Sequence, residues 1–346
     1  MKFNKKFVAD MKKAYAVSPI KIYGKQCFIV GTEKEGPLNI FDSKGRLIET
    51  IFEDFGGVMS IVPLVDEENA FLTTYKFYSP NDGYDAKIVY VKKIDGKWSK
   101  EVLVDLPFVH RFDVLYSGKE RFLVCCTIKS GFEFRNDWNQ PGRIYVGKLD
   151  DDLSKYNEDF QLKLDELDVK LSKNHGFYKV DEKQPYCLIT AVEGVFKLCP
   201  GHDSKEWQLE KILDQSTSDA LYYDLDGDGK RELVTISEFH GDHLDIFKEE
   251  KGEFYRVFSY KKPLRFLHAL HAAKYKGKPI LFVGHREAER DLFCLEYNQA
   301  DHTYVRTDIE DNLGVANITS FREEDKLKIV VTHRETDQVC LYDIED

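Results

Sequence analysis

Short apolar segments recur along the whole chain, separated by polar stretches rich in Gly, Asp, Asn and Lys. Seven strongly apolar runs, such as FIVGTE and LVTISE, start 43 to 65 residues apart, at Phe28, Phe71, Phe122, Cys187, Leu233, Leu281 and Ile329. A second apolar stretch follows each run, for example LNIF, IVYV or LDIF. Runs of four to eight apolar residues between turn signals are typical of β-strands. The pattern therefore predicts seven repeats of one β unit.

Each repeat contains two further candidate strands. Segments such as HRFDVL, HGFYKV and ALYYDL precede the apolar runs, and segments such as WSKEVLVDLP and WQLEKILDQS follow them. Four short strands in about 48 residues are the proportion of a propeller blade. One segment, residues 150–173, has a spacing that suits either an amphipathic helix or an outer-strand insertion, and both readings stay open. The sequence thus predicts an all-β protein, a seven-bladed β-propeller of four-stranded blades.

The two ends of the chain predict how the ring closes. The seventh repeat stops after its third strand, at VCLYDIED, whereas the chain begins with FNKKFVADMKKAY, which is similar to the outer strand WSKEVLVDLP. An N-terminal strand that completes the last blade leaves no open seam in the ring. We therefore expect a single domain over residues 1–346. Its predicted blades are 14–55, 56–107, 108–172, 173–216, 217–264, 265–314, and 315–346 together with 3–11.

Composition and charge narrow the range of partners. The chain has 61 acidic and 50 basic residues, a net charge of -11, whereas nucleic acids and anionic membranes call for a basic face. Neither is expected as a partner. No apolar run reaches the roughly 18 residues of a membrane span and the N-terminus lacks the core of a signal peptide, so a cytoplasmic protein is expected. None of the 7 cysteines stands in a C-x-x-C pair, which argues against thiolate zinc.

The most specific motif is DLDGDGKRE in the fifth repeat, between two predicted strands. Alternating carboxylates wrap around a cation, glycine permits the tight turn, and hard oxygen ligands favour Ca²⁺. An EF-hand is rejected because its flanking helices and its glutamate at position twelve are missing. Calcium here would stiffen the hairpin or take part in substrate binding, and an ion-free loop closed by its own hydrogen bonds is the alternative. The predicted ligands are Asp224, Asp226, Asp228, Lys230 and Glu232.

Placed between propeller strands, this motif resembles the D-x-D-x-D-G hairpins of the FG-GAP or VCBS repeat family. The resemblance implies a propeller that binds calcium. The motif is complete in one repeat, and the corresponding turns elsewhere read YSGKE, YKGKP and REEDK.

Histidines form the second signal, because several occupy equivalent places in different repeats. Inner-strand imidazoles that converge on the channel suit Zn²⁺ or Mn²⁺, or proton abstraction next to a carbonyl. The predicted axial ligands are His110, His175, His268 and His271. The triplets His-Arg-Glu that end two consecutive second strands supply the predicted catalytic residues His285, Arg286, His333 and Arg334. The alternative for the inner-strand histidines is that they are hydrogen-bonded residues of the channel wall. The alternative for the two His-Arg-Glu triplets is that they are copies of one ancestral repeat and have no function. His240 and His243 rank lower at a hairpin, and His202 and His302 are read as loop residues.

The phrase HALHAAKYKGKPILFVGHREAERDLFCLEY resembles the propeller of the aldos-2-ulose dehydratase group, sugar lyases and isomerases that use metals. Oligogalacturonate lyases are similar propellers with a histidine-held manganese, an analogy at the level of fold. The resemblance implies a metal-dependent lyase, dehydratase or isomerase acting on a sugar or sugar acid in the axial funnel, with Arg286 or Arg334 orienting the substrate. Arg135 and Trp138, in the insertion FEFRNDWNQPGR, are a candidate sugar platform. The alternative is a non-catalytic propeller that binds a protein or glycan through its unequal loops, with calcium structural.

Overall fold

A computed structural model describes residues 1–201 and 206–346, so His202 lies outside the described residues. Within those ranges the chain forms 28 strands, arranged as seven sheets of four antiparallel strands each, and contains no helix. The prediction of an all-β, seven-bladed propeller is confirmed. In the described ranges no helical segment exists that could cross a membrane.

The first four blades follow one another along the chain. Blade 1 comprises β2 (Ala14–Ile22), β3 (Lys25–Thr32), β4 (Leu38–Asp42) and β5 (Leu47–Phe52). Blade 2 comprises β6 (Ile61–Pro63), β7 (Ala70–Tyr75), β8 (Lys87–Ile94) and β9 (Lys97–Asp105). Blade 3 comprises β10 (Val109–Ser117), β11 (Glu120–Thr127), β12 (Ile144–Leu149) and β13 (Asp165–Glu166). Blade 4 comprises β14 (Gly176–Val180), β15 (Tyr186–Ala191), β16 (Gly194–Cys199) and β17 (Gln208–Leu213).

The last three blades complete the ring. Blade 5 comprises β18 (Asp219–Tyr223), β19 (Glu232–Ser237), β20 (His243–Glu250) and β21 (Glu253–Ser259). Blade 6 comprises β22 (Leu267–Tyr275), β23 (Lys278–His285), β24 (Leu292–Asn298) and β25 (Thr303–Glu310). Blade 7 comprises β26 (Val315–Glu323), β27 (Lys326–His333), β28 (Gln338–Glu345) and β1 (Lys2–Asp10).

The N-terminal strand closes the ring, as predicted. β1 pairs antiparallel with β28, from Lys2 opposite Glu345 to Asp10 opposite Gln338. The last blade is therefore built from both ends of the chain, and its outer strand hydrogen-bonds across the point where the ring would otherwise open.

Burial explains why the second strands are apolar at consecutive positions instead of alternating between apolar and polar residues. Each blade is covered on both faces by its neighbours, so its second strand has no solvent side; β19, for example, is buried at every position. Phe71 in β7 and Phe282 in β23 are fully buried in the same way. Each such side chain stabilises the fold by about 1.5–3 kcal/mol, and truncating one to alanine costs about 3–5 kcal/mol.

The long third repeat contains an irregular insertion rather than a helix. Of residues 150–173, only the two-residue outer strand β13 is regular. Leu153, Tyr156 and Leu162 are buried, and the Leu162 amide donates to the carbonyl oxygen of Leu103 in blade 2. The outer-strand reading is therefore correct, and the helical reading is wrong.

Antiparallel pairing places two kinds of segment at the same end of the channel. In blades 6 and 7 the first residue of the inner strand lies opposite the last residue of the second strand, as Leu267 opposite His285 and Val315 opposite His333. The starts of the inner strands and the loops between second and third strands therefore meet at one end. The turns from first to second strand lie at the other end.

Candidate functional site

Three histidines from three different blades meet at the end of the channel where the inner strands begin. His175 directly precedes β14, His268 lies in β22, and His240 lies in the loop between β19 and β20. One ring nitrogen of each lies within 4.8 Å of the other two, and the Nε2 atoms of His175 and His240 are 3.0 Å apart. We call these three residues the imidazole cluster.

Hydrogen-bond partners set the orientation of two of the rings. His268 donates from Nδ1 to the carbonyl oxygen of Ala316, at 2.7 Å. His175 Nδ1 donates to the carbonyl oxygen of Ser218 at 3.3 Å and also lies 2.8 Å from Asp219 Oδ2. Because each Nδ1 faces an acceptor, the proton belongs on Nδ1 and the lone pair of Nε2 points into the cluster. This is the arrangement of metal-ligating histidines, whose other nitrogen is held by a carboxylate or a carbonyl.

The third ring is held by aromatic contacts. His240 stacks between Phe239, with ring centroids 4.1 Å apart, and Phe266, at 4.3 Å. Its backbone has a φ of 48°, which is uncommon for a residue other than glycine and needs support from its surroundings. Trp138 packs edge-on against Phe239, with centroids 5.2 Å apart, so the loop between β11 and β12 supports the loop that carries His240.

Two imidazoles of the cluster, those of His240 and His268, are held in the neutral form. Burial lowers the pKa of His240 well below its usual value, and the neighbouring His175 and Arg286 lower it further. Burial, followed by Arg286 and His240, does the same to the pKa of His268. Metals bind the neutral imidazole, so at pH 7 both rings are in the form that a metal requires.

The cluster lies at the end of a cavity of about 230 Å³ that follows the inner strands. Arg111, Asp219 and His268 line this cavity where it meets the cluster, and Ser60 and Asn317 add polar groups. Arg111 donates to the carbonyl oxygen of Met59 at 2.7 Å and forms no ion pair with any described carboxylate. The cavity is smaller than the ~300 Å³ at which pockets for drug-sized ligands begin, and it suits a small molecule with an anionic group.

Of the predicted axial ligands, the structure brings His175 and His268 together and adds His240. His110 lies next to them: its ring centroid is 4.6 Å from that of His175, and its Nδ1 donates to the His175 carbonyl oxygen at 3.3 Å. His271 is not in this group, because its Nε2 lies 2.8 Å from Ser320 Oγ, between blades 6 and 7.

The predicted catalytic histidines occupy equivalent places inside blades 6 and 7. His285 is fully buried and donates from Nδ1 to the carbonyl oxygens of Arg265 and Glu287, while its Nε2 accepts from the Asp291 amide at 3.1 Å. His333 is also fully buried, with Nε2 at 3.0 Å from the Tyr342 hydroxyl. Both rings therefore form hydrogen bonds with polar groups inside their own blades, at the ends of the second strands. Neither ring belongs to the imidazole cluster.

The predicted substrate-orienting arginines are already paired. Arg286 makes hydrogen bonds of 2.9 and 2.7 Å to Glu335, and Arg334 binds both Glu33 and Glu335. Arg286 also lies over the Phe266 ring, 4.7 Å from its centroid. Their charges are balanced by carboxylates, which distinguishes them from Arg111.

The two residues of the predicted sugar platform lie in different surroundings. Trp138 is half-buried against Phe239 and lies under the ammonium group of the fully buried Lys129, 4.6 Å from the ring centroid. Arg135 is exposed. Trp138 therefore belongs to the wall behind His240, and Arg135 does not.

The predicted calcium loop lies at the opposite end of blade 5, in the turn from β18 to β19. Carboxylate oxygens of Asp224, Asp226 and Glu232 lie within 4.8 Å of one another. The loop is closed by backbone amides: Gly227 donates to Asp224, Asp228 to Asp226 and Lys230 to Asp228, at 2.7 to 3.1 Å. Lys230 thus acts through its amide. We call residues 224–232 the acidic loop.

No family model and no curated protein sequence matches the chain. Among solved structures, the chain is similar to a propeller from Bacteroides uniformis described as a putative 6-phosphogluconolactonase, with a TM-score of 0.59 and 12% sequence identity. The match covers 97% of this chain and 93% of that one. At this identity the likeness establishes a shared fold and nothing further.

Proposed function

We propose that the protein is a metal-dependent enzyme acting on a small sugar acid, with Zn²⁺ or Mn²⁺ held by His175, His240 and His268. The observation that carries the proposal is the convergence of three imidazoles from three blades on one point. Nitrogens bound to one tetrahedral zinc lie about 3.3 Å apart, and the 3.0 Å between His175 and His240 is close to that separation. The ring nitrogen of His268, within 4.8 Å of the other two, would move toward them to complete the donor set.

A metal bound here would polarise a carbonyl or carboxylate oxygen of the substrate. Arg111 is the group that binds the substrate carboxylate, because its planar guanidinium matches a carboxylate and has no acidic partner among the described residues. Asp219 orients His175 from behind. The name of the Bacteroides uniformis propeller refers to a phosphorylated sugar lactone and is compatible with a ligand of this class, but the proposal rests on the imidazole cluster and Arg111, since the likeness shows the fold alone.

Tyr15 is positioned to hold a proton in this site. Its hydroxyl donates to His268 Nε2 at 3.0 Å, and burial raises its pKa, so the phenol stays protonated at neutral pH. If His268 Nε2 held a metal, the Tyr15 hydroxyl would be free of this bond and could donate to a substrate oxygen instead. Elimination or isomerisation of a sugar acid needs such a donor beside the polarised oxygen.

Metal analysis tests the proposal. The purified protein is stripped with a chelator, reloaded with Zn²⁺ or Mn²⁺, and analysed for metal by elemental analysis after dialysis. We expect about one ion per chain in the wild type, loss of the ion in His240→Ala, and retention in His271→Ala, a half-buried histidine of β22 outside the cluster. Equal metal content in the two variants, or none in the wild type, contradicts the proposal. Loaded protein is then assayed with galacturonate and gluconate, and an Arg111→Met variant should raise KM.

A further inference from the structure

The acidic loop concentrates negative charge in a partly buried place. Four carboxylates occur within residues 224–232, and the side chains of Asp226 and Glu232 are only 6% and 0% exposed. Buried carboxylates are costly unless a cation or several hydrogen bonds compensate them. The loop therefore needs a positive charge.

The neighbouring strand supplies one. Phe247 in β20 pairs with Leu233 in β19, so Lys248 lies beside Glu232 at the edge of the loop. The Lys248 ammonium contacts Asp226, lies 2.7 Å from Asp228 Oδ2 and lies 3.4 Å from Glu232 Oε1. An ammonium group has three donors, and here it meets three carboxylates.

From this geometry we infer that Lys248 is the built-in cation of the acidic loop, so that the loop folds without Ca²⁺ and binds Ca²⁺ only in competition with this ammonium group. The inference is independent of the function proposed for the imidazole cluster. It concerns a loop at the other end of blade 5 and a different ion.

The position of the ammonium group supports competition rather than coexistence. Glu232 Oε2 accepts hydrogen bonds from the amides of Leu225 and Asp226, at 2.7 and 3.3 Å. Its other oxygen, Oε1, has no hydrogen-bond partner in the described part of the chain and faces the ammonium. A calcium ion drawing on the same oxygens of Asp226, Asp228 and Glu232 would lie against a like charge. Lys248 would have to leave before the ion could gather six to eight oxygens.

The variant Lys248→Met removes the charge and keeps the length of the side chain. The wild type should have the same Tm in excess chelator and in millimolar Ca²⁺. In chelator the variant should melt roughly 5 °C lower, because it leaves buried carboxylates unpaired. Ca²⁺ should restore its Tm and bind at least about tenfold more tightly than to the wild type, measured by calorimetric titration. Lys261→Met, an exposed lysine of the β21–β22 connection, is the matched control and should behave as the wild type.

Two results would overturn the inference. One is a wild-type protein that loses Tm in chelator or binds Ca²⁺ with a micromolar dissociation constant. The other is a Lys248→Met variant that is neither destabilised in chelator nor better at binding Ca²⁺. Lys248→Arg keeps the charge and should resemble the wild type in both measurements. Should Lys248→Met not fold in either condition, the wild-type titration decides alone: a millimolar or weaker dissociation constant supports the inference, and a micromolar one rejects it.

Discussion

The imidazole cluster and the acidic loop both gather metal-type ligands around one point, but they differ in charge. In the cluster, His240 and His268 are neutral and the nearest cationic groups include the guanidinium groups of Arg111 and Arg286, so the chain places no ammonium group among the three imidazoles, and the proposed metal ion would be the cation there. The acidic loop consists of carboxylates, and Lys248 already supplies a cation. Ligand spacing in the sequence is therefore not enough to predict metal dependence, because it does not show whether an adjacent strand places a cationic side chain against the ligands, as β20 does with Lys248.

Acidification should separate His240 and His268 of the cluster from Glu232 of the acidic loop most strongly, because it acts on the two histidines and on this carboxyl with opposite sign. Burial lowers the pKa of His240 and His268 well below the unfolded value of 6.5. Below pH 6.5 these two histidines bind protons in the unfolded chain but not in the folded chain, so the free energy of unfolding decreases as the pH falls. Between pH 6.5 and 5 each ring accounts for up to about 2 kcal/mol. Burial raises the pKa of Glu232, so this carboxyl binds its proton more readily when folded and gains stability on acidification.

Burial also lowers the pKa of His110, His271 and His333, so these rings act in the same direction. We therefore expect the free energy of unfolding of the metal-free protein to fall by more than about 4 kcal/mol between pH 7 and 5, measured by urea denaturation, with about 4 kcal/mol of the fall due to His240 and His268. His268→Gln should reduce the fall by about 2 kcal/mol. Glu232→Gln, in the acidic loop, should leave the fall as large or make it larger. Equal stability of the wild type at pH 7 and pH 5 would contradict the neutral state assigned to His240 and His268.

The fold could be predicted from the sequence because every repeat carries the same signal. The apolar second strands from Phe28 to Ile329 identify seven blades, and the unpartnered third strand at VCLYDIED identifies the closure with β1. The sequence of residues 150–173 is ambiguous because its apolar residues have no regular spacing that distinguishes a strand from a helix. In the structure, residues such as Leu153 and Leu162 are buried individually in an irregular segment, and the Leu162 amide bonds to blade 2.

The imidazole cluster can be predicted from the sequence only in part, because it depends on which loops meet. The sequence predicts His175 and His268 from their places on inner strands, whereas it ranks His240 lower as a turn residue. The rule that the loop after a second strand lies at the same end as the start of an inner strand would have placed it beside them. The equivalence of His285 and His333 is real, but it reflects equivalent positions within blades. Burial and partners such as Tyr342, which decide their surroundings, are not visible in the sequence.

The carboxylate behind His175 should influence metal affinity less than a ligand does, but measurably. Asp219→Asn removes the charge next to Nδ1 and keeps the shape of the side chain. We expect zinc affinity to fall by roughly tenfold, the lower end of the effect known for such partners, measured by competition with a chromophoric chelator. Asp224→Asn in the acidic loop is the matched control and should leave zinc affinity unchanged. The same loss in both variants would mean that overall charge, rather than the orientation of His175, sets the affinity.

Substitution of Trp138 should have the smallest effect on zinc affinity, because Trp138 contacts Phe239, which in turn stacks on His240. Removing an edge-on aromatic contact costs about 0.5–1.5 kcal/mol, so Trp138→Ala should weaken zinc binding by a few-fold as the loop that carries His240 loosens. Trp138→Phe should restore most of the affinity, and Arg135→Ala, an exposed residue of the same insertion, should have no effect. The hypothesis that Arg135 and Trp138 form a sugar platform predicts the opposite result. Both alanine variants would then raise KM for a sugar acid while zinc affinity stayed at the wild-type value, and Trp138 would contact the substrate rather than position a ligand.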